Sequence, residues 1–279
     1  MTSFNEISCA QLFKRIGTFD APKIINTRLA EDYARDTALI PSSRRVSHHS
    51  ILNTLQEKPQ DTPIGKTVVV CQEGHKVSHG AAAVLRAQGM PAEVLSGGFC
   101  AWREQGLPLV SLQALPEKHR QAGLWVTRHR PKIDRIACPW LLRRFIDPDA
   151  HVLFVPPSEV LAVADKFDAI SFDIEQGEIT HEGSLCTFEV MRDRFGLNSA
   201  ALTRMARVIR AADSNQIETI PQAAGLLALS IGLSKLYRND NTQLAAGTTL
   251  YYMLYLWARD GVNETQIGQG KRSQSMTPV

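Results

Sequence analysis

The sequence has few cysteines, and no two of them are closely spaced. The five thiols among 279 residues stand at Cys9, Cys71, Cys100, Cys138 and Cys186. Their odd number and wide spacing exclude a fully paired disulfide scaffold, and the lack of a Cys-x-x-Cys pair argues against zinc-finger sites. Free thiols are typical of a reducing compartment, so we expect a cytoplasmic protein.

Long apolar runs are also missing. The two most apolar stretches, residues 223–233 and 244–258, are shorter than the roughly 18–20 residues that span a bilayer. The first residues lack the basic segment and apolar core that a signal peptide needs. We therefore expect no membrane partner. The two apolar stretches predict helices, at 222–237 and 242–259, that form core or a homodimer face.

Charge of one sign is scarce as well. The 31 Lys and Arg residues nearly balance the 28 Asp and Glu residues, which leaves a net charge of +3. This balance gives no reason to expect a nucleic-acid partner. An apolar content of 44% is typical of globular proteins, and 279 residues suffice for two domains of ordinary size.

One stretch near residue 70 has the pattern of a reactive site. The β-branched residues 68–70 end at Cys71, and a short polar segment with Gly74 leads into small residues typical of a helix. This order predicts a strand, a loop and a helix start. Loop amides and the positive end of the helix dipole would converge on Cys71, which favours a thiolate and bound anions.

A second motif follows at the end of the next predicted strand, residues 92–95. It reads Ser-Gly-Gly-Phe-Cys-Ala-Trp over 96–102 and is followed by Gly-Leu-Pro at 106–108. Together with the cysteine loop, this pattern resembles the rhodanese (sulfurtransferase) family over about residues 5–110. The resemblance implies an α/β rhodanese-like domain with a parallel sheet over residues 1–110, with Cys71 at the carboxyl end of a strand.

The resemblance also implies a chemistry for the loop. A Cys71 thiolate would take sulfur from a small donor such as thiosulfate, hold it as a persulfide and pass it to a thiol acceptor. Lys76 and His75 would tune the charge of the persulfide, and no cofactor is required. The residues expected to bind the substrate or oxyanion in this domain are Gln72, Glu73, Gly74, Val77, Ser78 and Arg28.

Two departures from the family pattern keep other functions open. Asn26-Thr27-Arg28 stands where the family often has Asp-x-Arg, so the acidic residue is missing. Val77 separates Lys76 from Ser78, and this extra residue predicts a wider loop that suits a tetrahedral oxyanion. Alternatives to sulfur transfer are therefore an oxyanion reductase that uses Cys71, and a regulator that senses chromate or redox state without turnover.

Residues 111–123 lose periodicity and become polar, which predicts a linker. No internal repeat follows, so the second domain is not a duplicate of the first. It opens with a predicted strand from residue 124, and Pro139 suits the first turn of the next helix. Basic residues crowd this junction and suit a dianion such as chromate, sulfate or phosphate. They are Arg128, Arg130, Lys132 and Arg135.

The second half is similar to the C-terminal domain of the ChrB-type chromate-resistance family. The resemblance rests on Asp-Arg-Ile-Ala-Cys-Pro-Trp-Leu at 134–141, on Thr-His-Glu-Gly at 180–183 and on Cys-Thr-Phe-Glu at 186–189. It predicts a mainly helical α+β domain over residues 124–260 and a link to chromate resistance. Residues 261–279 are polar and are expected to form a disordered tail.

Potential metal ligands are concentrated in the second domain. His181 stands in a predicted loop, and Glu189 follows on a predicted helix. Asp213 ends another predicted helix and would complete a set of imidazole and carboxylates that suits zinc, manganese or iron. A divalent metal bound by these three residues is therefore a hypothesis.

Overall fold

A parallel sheet organises the first domain of the computed structural model, which describes residues 5–51, 66–116 and 123–264. The sheet has five strands in the order β1-β5-β4-β2-β3, and all neighbouring pairs are parallel. The strands are β1 (Glu6–Ile7), β2 (Lys23–Asn26), β3 (Ser43–Arg45), β4 (Thr67–Val70) and β5 (Ala92–Leu95). The predicted strand before Cys71 and the predicted strand at 92–95 are confirmed.

The central position of β4 explains its sequence. All of its residues are buried, because helices cover both faces of the sheet, and a continuous β-branched run suits such a strand. In the described residues, four α-helices surround the sheet: α1 (Cys9–Arg15), α2 (Ala30–Arg35), α3 (Lys76–Ala87) and α4 (Gly98–Glu104). The small residues Ala81 and Ala82 let α3 pack against Val69 on one face.

The second domain has a smaller parallel sheet within a helical region. Its strands have the order β7-β6-β8. They are β6 (Leu124–Arg128), β7 (His151–Val155) and β8 (Ile170–Ser171). The helices are α5 (Asp134–Leu141), α6 (Val160–Phe167), α7 (Thr187–Arg194), α8 (Ala200–Asp213), α9 (Pro221–Leu236) and α10 (Asp240–Leu256). This arrangement confirms the predicted fold class.

The start of α5 corrects one expectation. Pro139 suggested the first turn of a helix, but α5 begins at Asp134 and Pro139 lies inside it. A proline inside a helix removes one backbone hydrogen bond, and packing of the buried Trp140 and Leu141 is available to offset that cost. The earlier start places Asp134 directly at the junction between β6 and the helix.

The last two helices, α9 and α10, are only partly buried. Leu226 on α9 and Leu244 and Tyr251 on α10 are buried, whereas Leu236 and Met253 are exposed. No helix in the described ranges has the length and apolar character needed to cross a bilayer. Residues 117–122 of the predicted linker and 265–279 of the predicted tail lie outside the described residues.

The two domains are joined by apolar and polar contacts. One hydrophobic cluster includes buried residues of both domains. The amide of Ser42 donates to the carbonyl of Phe145 at 2.8 Å, and Arg44 Nε lies 3.2 Å from Asp149 Oδ2. The junction therefore combines a shared core with backbone and charged contacts.

Gly17 lies at this junction and provides a test of it. Its φ is +80°, and a Cβ there would lie 2.5 Å from Phe145 Cζ and 2.7 Å from Tyr255 Cε1. We expect Gly17→Ala to lower the free energy of unfolding by about 3 kcal/mol, because left-handed strain and overpacking add. The measurement is urea denaturation of the full chain.

Gly89→Ala is the matched control. Gly89 has a φ of +76°, but a Cβ there would meet nothing within 4 Å. It should therefore show only the conformational cost of about 1–2 kcal/mol. Equal losses for the two variants would contradict the close packing of the domains at Gly17.

Candidate functional site

Cys71 follows the last residue of β4 and lies at the carboxyl end of the central strand. Functional sites of parallel α/β sheets lie at this edge. The side chain is 5% exposed, and α3 begins five residues later at Lys76. The order of strand, cysteine loop and helix predicted from the sequence is therefore confirmed.

The thiol of Cys71 has a hydroxyl partner. Ser78, in the first turn of α3, places Oγ 3.1 Å from Cys71 Sγ and donates to the carbonyl of His75 at 3.0 Å. With this hydroxyl donating to the carbonyl, a Cys71 thiol can donate to Ser78 Oγ. When Cys71 is a thiolate, the hydroxyl can turn and donate to the sulfur. The arrangement can thus accommodate both protonation states.

The loop backbone is held by the segment that follows β5. The amides of Phe99 and Cys100 donate to the carbonyls of Cys71 and Gln72, at 3.0 and 2.9 Å. Gly98 has a φ of +60°, and a Cβ there would lie 2.4 Å from the nitrogen of Gly74. Only glycine permits so close an approach, which explains the Gly-Gly pair in the second motif.

The backbone amides of the Cys71 loop lack protein acceptors in the described residues. The first N–H groups of a helix lack intrahelical acceptors, and no protein acceptor is found for the amides of residues 73–78 in the described part of the chain. The N-terminus of α3 adds the positive end of its dipole. Backbone N–H groups and a helix start together favour binding of an anionic sulfur species.

The side chains of the loop have different positions. Glu73, His75 and Lys76 are exposed, whereas Gln72 donates from Nε2 to Cys100 Sγ at 3.3 Å. Val77 lies within the first turn of α3. The extra residue that suggested a wider loop is therefore part of the helix, and Ser78 still reaches Cys71.

Arg28 occupies a supporting position behind the loop. It is buried, donates to the carbonyls of Asp36 and Ala38, and stacks on the ring of Phe99 at 3.7 Å from the centroid. Burial lowers the pKa of its guanidinium. These contacts place Arg28 against Phe99 and use both of its Nη atoms, whereas its Nε has no hydrogen-bond partner. A substrate contact of Arg28 stays a prediction.

A second cluster of charged groups lies in the second domain. Asp173, just after β8, receives a hydrogen bond from Thr187 Oγ1 at 3.0 Å and lies 3.2 Å from both Arg128 Nη2 and Arg135 Nε. Burial raises the pKa of Asp173, but His181 and the two arginines more than offset this and leave it below its usual value. The Asp173 carboxyl group is therefore ionised.

His181 brings three acidic residues together. Its Nε2 lies 3.4 Å from Asp173 Oδ1, 3.5 Å from Asp213 Oδ2 and 3.7 Å from Asp134 Oδ2. Asp173, followed by the charge of Asp134, raises the pKa of His181. We call Asp134, Asp173, His181 and Asp213 the histidine–aspartate cluster.

Asp134 is the most deeply buried member of this cluster. Its side chain is 0% exposed. Oδ2 accepts from the amide of Phe188 at 3.3 Å, and Oδ1 has no hydrogen-bond partner. Burial, followed by the charges of Asp213 and Asp173, raises the pKa of Asp134 well above its usual value. A buried carboxylate oxygen without a partner is costly unless a cation or donor faces it.

The structure brings together two of the three predicted metal ligands of this domain. His181 and Asp213 lie together, but Glu189 accepts from the amide of Cys186 at 3.3 Å and lies 3.4 Å from Arg210. Glu189 thus caps α7 instead of joining the cluster. Asp134 and Asp173, which the sequence analysis missed, take part. The position of Asp134 at the head of the 134–141 motif was the available signal.

The predicted group of arginines is divided. Arg128 and Arg135 both face Asp173, an internal carboxylate. Arg130 instead donates to the carbonyls of Tyr237 and Ser234, between α9 and α10. The structure therefore does not bring the three arginines into one anion site, because two face Asp173 and the third binds helix-end carbonyls.

Two different family models match the two halves of the chain. The rhodanese-like domain model matches residues 9–105, and the model of the ChrB C-terminal domain matches residues 125–258. A sulfurtransferase of Allochromatium vinosum is 30% identical over 108 residues, which cover 38% of this chain and 95% of that protein. Both domains thus have relatives of known family.

The relative that extends into the second domain is longer than this chain. Protein ChrB of Cupriavidus metallidurans is 30% identical over 176 residues, which cover 58% of this chain and 53% of that protein. The chain therefore spans about half the length of that relative. Among solved structures, a rhodanese-related protein of Thermoplasma volcanium is 21% identical with a TM-score of 0.32, covering 38% of this chain and 98% of its own.

The contact between Ser78 and Cys71 leads to a reactivity prediction. Ser78→Ala should slow alkylation of Cys71 by iodoacetamide up to about tenfold, because a hydrogen bond to a charged group contributes roughly 1.5 kcal/mol. The rate constant is measured at neutral pH by mass spectrometry of the Cys71 peptide. Ser96→Ala is the control, because Ser96 donates to Glu6. An unchanged rate for Ser78→Ala would contradict the role of this hydroxyl.

Proposed function

Because the chain belongs to the rhodanese family through its first domain and carries a ChrB C-terminal domain, we propose that it is a sulfurtransferase linked to chromate resistance. Cys71 is the nucleophile. The donor is a small anion with a sulfane sulfur, such as thiosulfate, and the acceptor is a thiol.

The observation that carries the proposal is the environment of Cys71. The sulfur lies at the end of the central strand, 3.1 Å from a hydroxyl and ahead of a helix N-terminus. A cysteine that only fills the core would not need an adjacent loop with free amides. Preorganised N–H groups stabilise developing negative charge without reorganisation during the reaction.

The first half-reaction transfers sulfur to the protein. The Cys71 thiolate attacks the outer sulfur of thiosulfate, and a new sulfur–sulfur bond forms. The donor's own sulfur–sulfur bond breaks, and sulfite leaves with the electron pair. The amides of residues 73–78 stabilise the resulting anionic persulfide. Division into two covalent steps lowers the barrier to each.

The second half-reaction restores the cysteine. An acceptor thiolate, or cyanide in an assay, attacks the outer sulfur of the persulfide. The Cys71 thiolate leaves with the electron pair, and Ser78 is placed to donate to it. Sulfur passes between two nucleophiles, so this cycle uses no external oxidant, reductant or cofactor.

The exposed side chains at the helix start serve the approach of the donor. His75 and Lys76 flank the helix start and are exposed. Lys76 places positive charge beside the path of an anionic donor, which raises its local concentration. Arg28 acts indirectly, because it holds Phe99, whose amide binds the Cys71 carbonyl.

Turnover of thiosulfate with cyanide tests the proposal. Cys71→Ser should retain less than about 1% of the wild-type rate, because the hydroxyl cannot form the persulfide. Cys100→Ser is the matched control, because Cys100 is a neighbouring thiol that contacts Gln72, and it should keep most of the activity. Wild-type protein incubated with thiosulfate should also gain about 32 Da on the Cys71 peptide.

Two results would contradict sulfur transfer. One is a wild-type rate no higher than that of Cys71→Ser. The other is the absence of the sulfur adduct after incubation with thiosulfate. If chromate then changes association state or DNA binding of the wild-type protein, the regulator interpretation replaces the enzyme. Chromate reduction that requires Cys71 would instead support an oxyanion reductase.

A further inference from the structure

We propose that the histidine–aspartate cluster of the second domain binds one divalent metal ion, with His181, Asp134, Asp173 and Asp213 as its ligands. The proposal does not depend on the sulfur-transfer function. The four side chains come from distant parts of the sequence: the start of α5, the segment after β8, the loop before α7 and the end of α8.

The distances suit a single ion. Ligand atoms of Asp134, Asp173 and His181 lie within 4.8 Å of one another. His181 Nε2 lies 3.4, 3.5 and 3.7 Å from oxygens of Asp173, Asp213 and Asp134. Two atoms bound to one ion at about 2.1 Å are about 3.0–3.4 Å apart in octahedral or tetrahedral geometry. Asp134, Asp173 and His181 need only small side-chain movements to reach this spacing. Asp213 contacts His181 at 3.5 Å but is not in this mutually close group, so its carboxylate has further to move.

The unpartnered oxygen of Asp134 is the second, independent observation. The side chain is fully buried, and Oδ1 has no hydrogen-bond partner. Its other oxygen faces His181, so the carboxylate points into the cluster. A bare carboxylate oxygen beside two further acidic groups is strongly disfavoured. A bound cation would compensate all three carboxylates together.

The donor set selects the class of ion. One imidazole with carboxylates suits zinc, manganese and iron(II), whereas calcium and magnesium prefer oxygen donors alone. Two buried thiols, Cys138 and Cys186, lie near the acidic groups. Burial, followed by the charge of Asp134, raises the pKa of both thiols well above the usual value. Neither thiol belongs to the group of described ligand atoms that lie within 4.8 Å of one another.

Surrounding residues support this arrangement. Thr187, Arg128 and Arg135 hold the Asp173 carboxylate, as outer-shell partners of metal ligands commonly do. The arginines also offset the excess negative charge of three carboxylates around a divalent ion. The His181 side chain is 46% exposed, so an ion can reach the cluster from solvent.

Metal binding to the full chain tests the proposal. Protein stripped with a chelator is titrated separately with Zn²⁺ and Mn²⁺, with calorimetry for zinc and electron paramagnetic resonance for manganese. We expect one ion per chain and a rise in the melting temperature on binding. His181→Ala and Asp134→Asn should each weaken binding at least about tenfold and remove most of the thermal shift.

Matched variants and a folding check separate the loss of a metal ligand from other effects of substitution. His151→Ala and Asp165→Asn change an exposed histidine and an exposed aspartate of the same domain, and both should bind like wild type. Circular dichroism and gel filtration monitor folding. If Asp134→Asn fails to fold, the result for His181→Ala decides the test. The half-exposed side chain of His181 is not part of the core, so this variant should fold.

Two outcomes would overturn the proposal. One is the absence of stoichiometric binding of either ion to the wild-type chain. The other is equal affinity for wild type and His181→Ala, which would place the metal elsewhere. In either case a protonated His181 would be the cation that the carboxylates share.

Discussion

The Cys71 loop depends on two backbone hydrogen bonds from the first turn of α4. The amides of Phe99 and Cys100 bind the carbonyls of Cys71 and Gln72. This approach is possible because Gly98 has no side chain where a Cβ would meet the other loop. The cysteine is thereby fixed before any substrate arrives, and its partner on α3 is held beside it. Preorganisation of this kind is what a covalent sulfur carrier requires.

In the second domain, the arrangement of His181 and its acidic neighbours depends on charge compensation. Asp173 is balanced by Arg128 and Arg135, whereas Asp134 is buried with one oxygen unpartnered. Low dielectric strengthens each of these interactions and makes an imbalance costly. The domain therefore concentrates buried negative charge around His181. A cation shared by the carboxylates would reduce their mutual repulsion. The shared hydrophobic core holds this domain against the first.

Local signals in the sequence predicted much of the first domain and less of the second. A strand is identified by the β-branched run before Cys71, and a helix by the small residues that follow. Both can be predicted because each element consists of residues that are adjacent in the sequence. Pro139 misled the prediction of α5, since tertiary packing overrides the local preference of a proline. Glu189 was predicted as a metal ligand on a helix, but its carboxylate accepts from the amide of Cys186 and pairs with Arg210.

Sequence patterns were enough to predict two unlike domains, a cysteine at the end of a strand and a glycine pair after the next strand. These features depend on spacing along the chain, which is visible without coordinates. The central position of the strand before the cysteine is visible only in the sheet order. Tertiary structure decided that Arg28 supports Phe99 and that Arg130 binds the ends of helices far away in the chain. It also decided which aspartates meet His181. Contacts between distant segments follow from how helices and strands pack, and residue order does not record that packing.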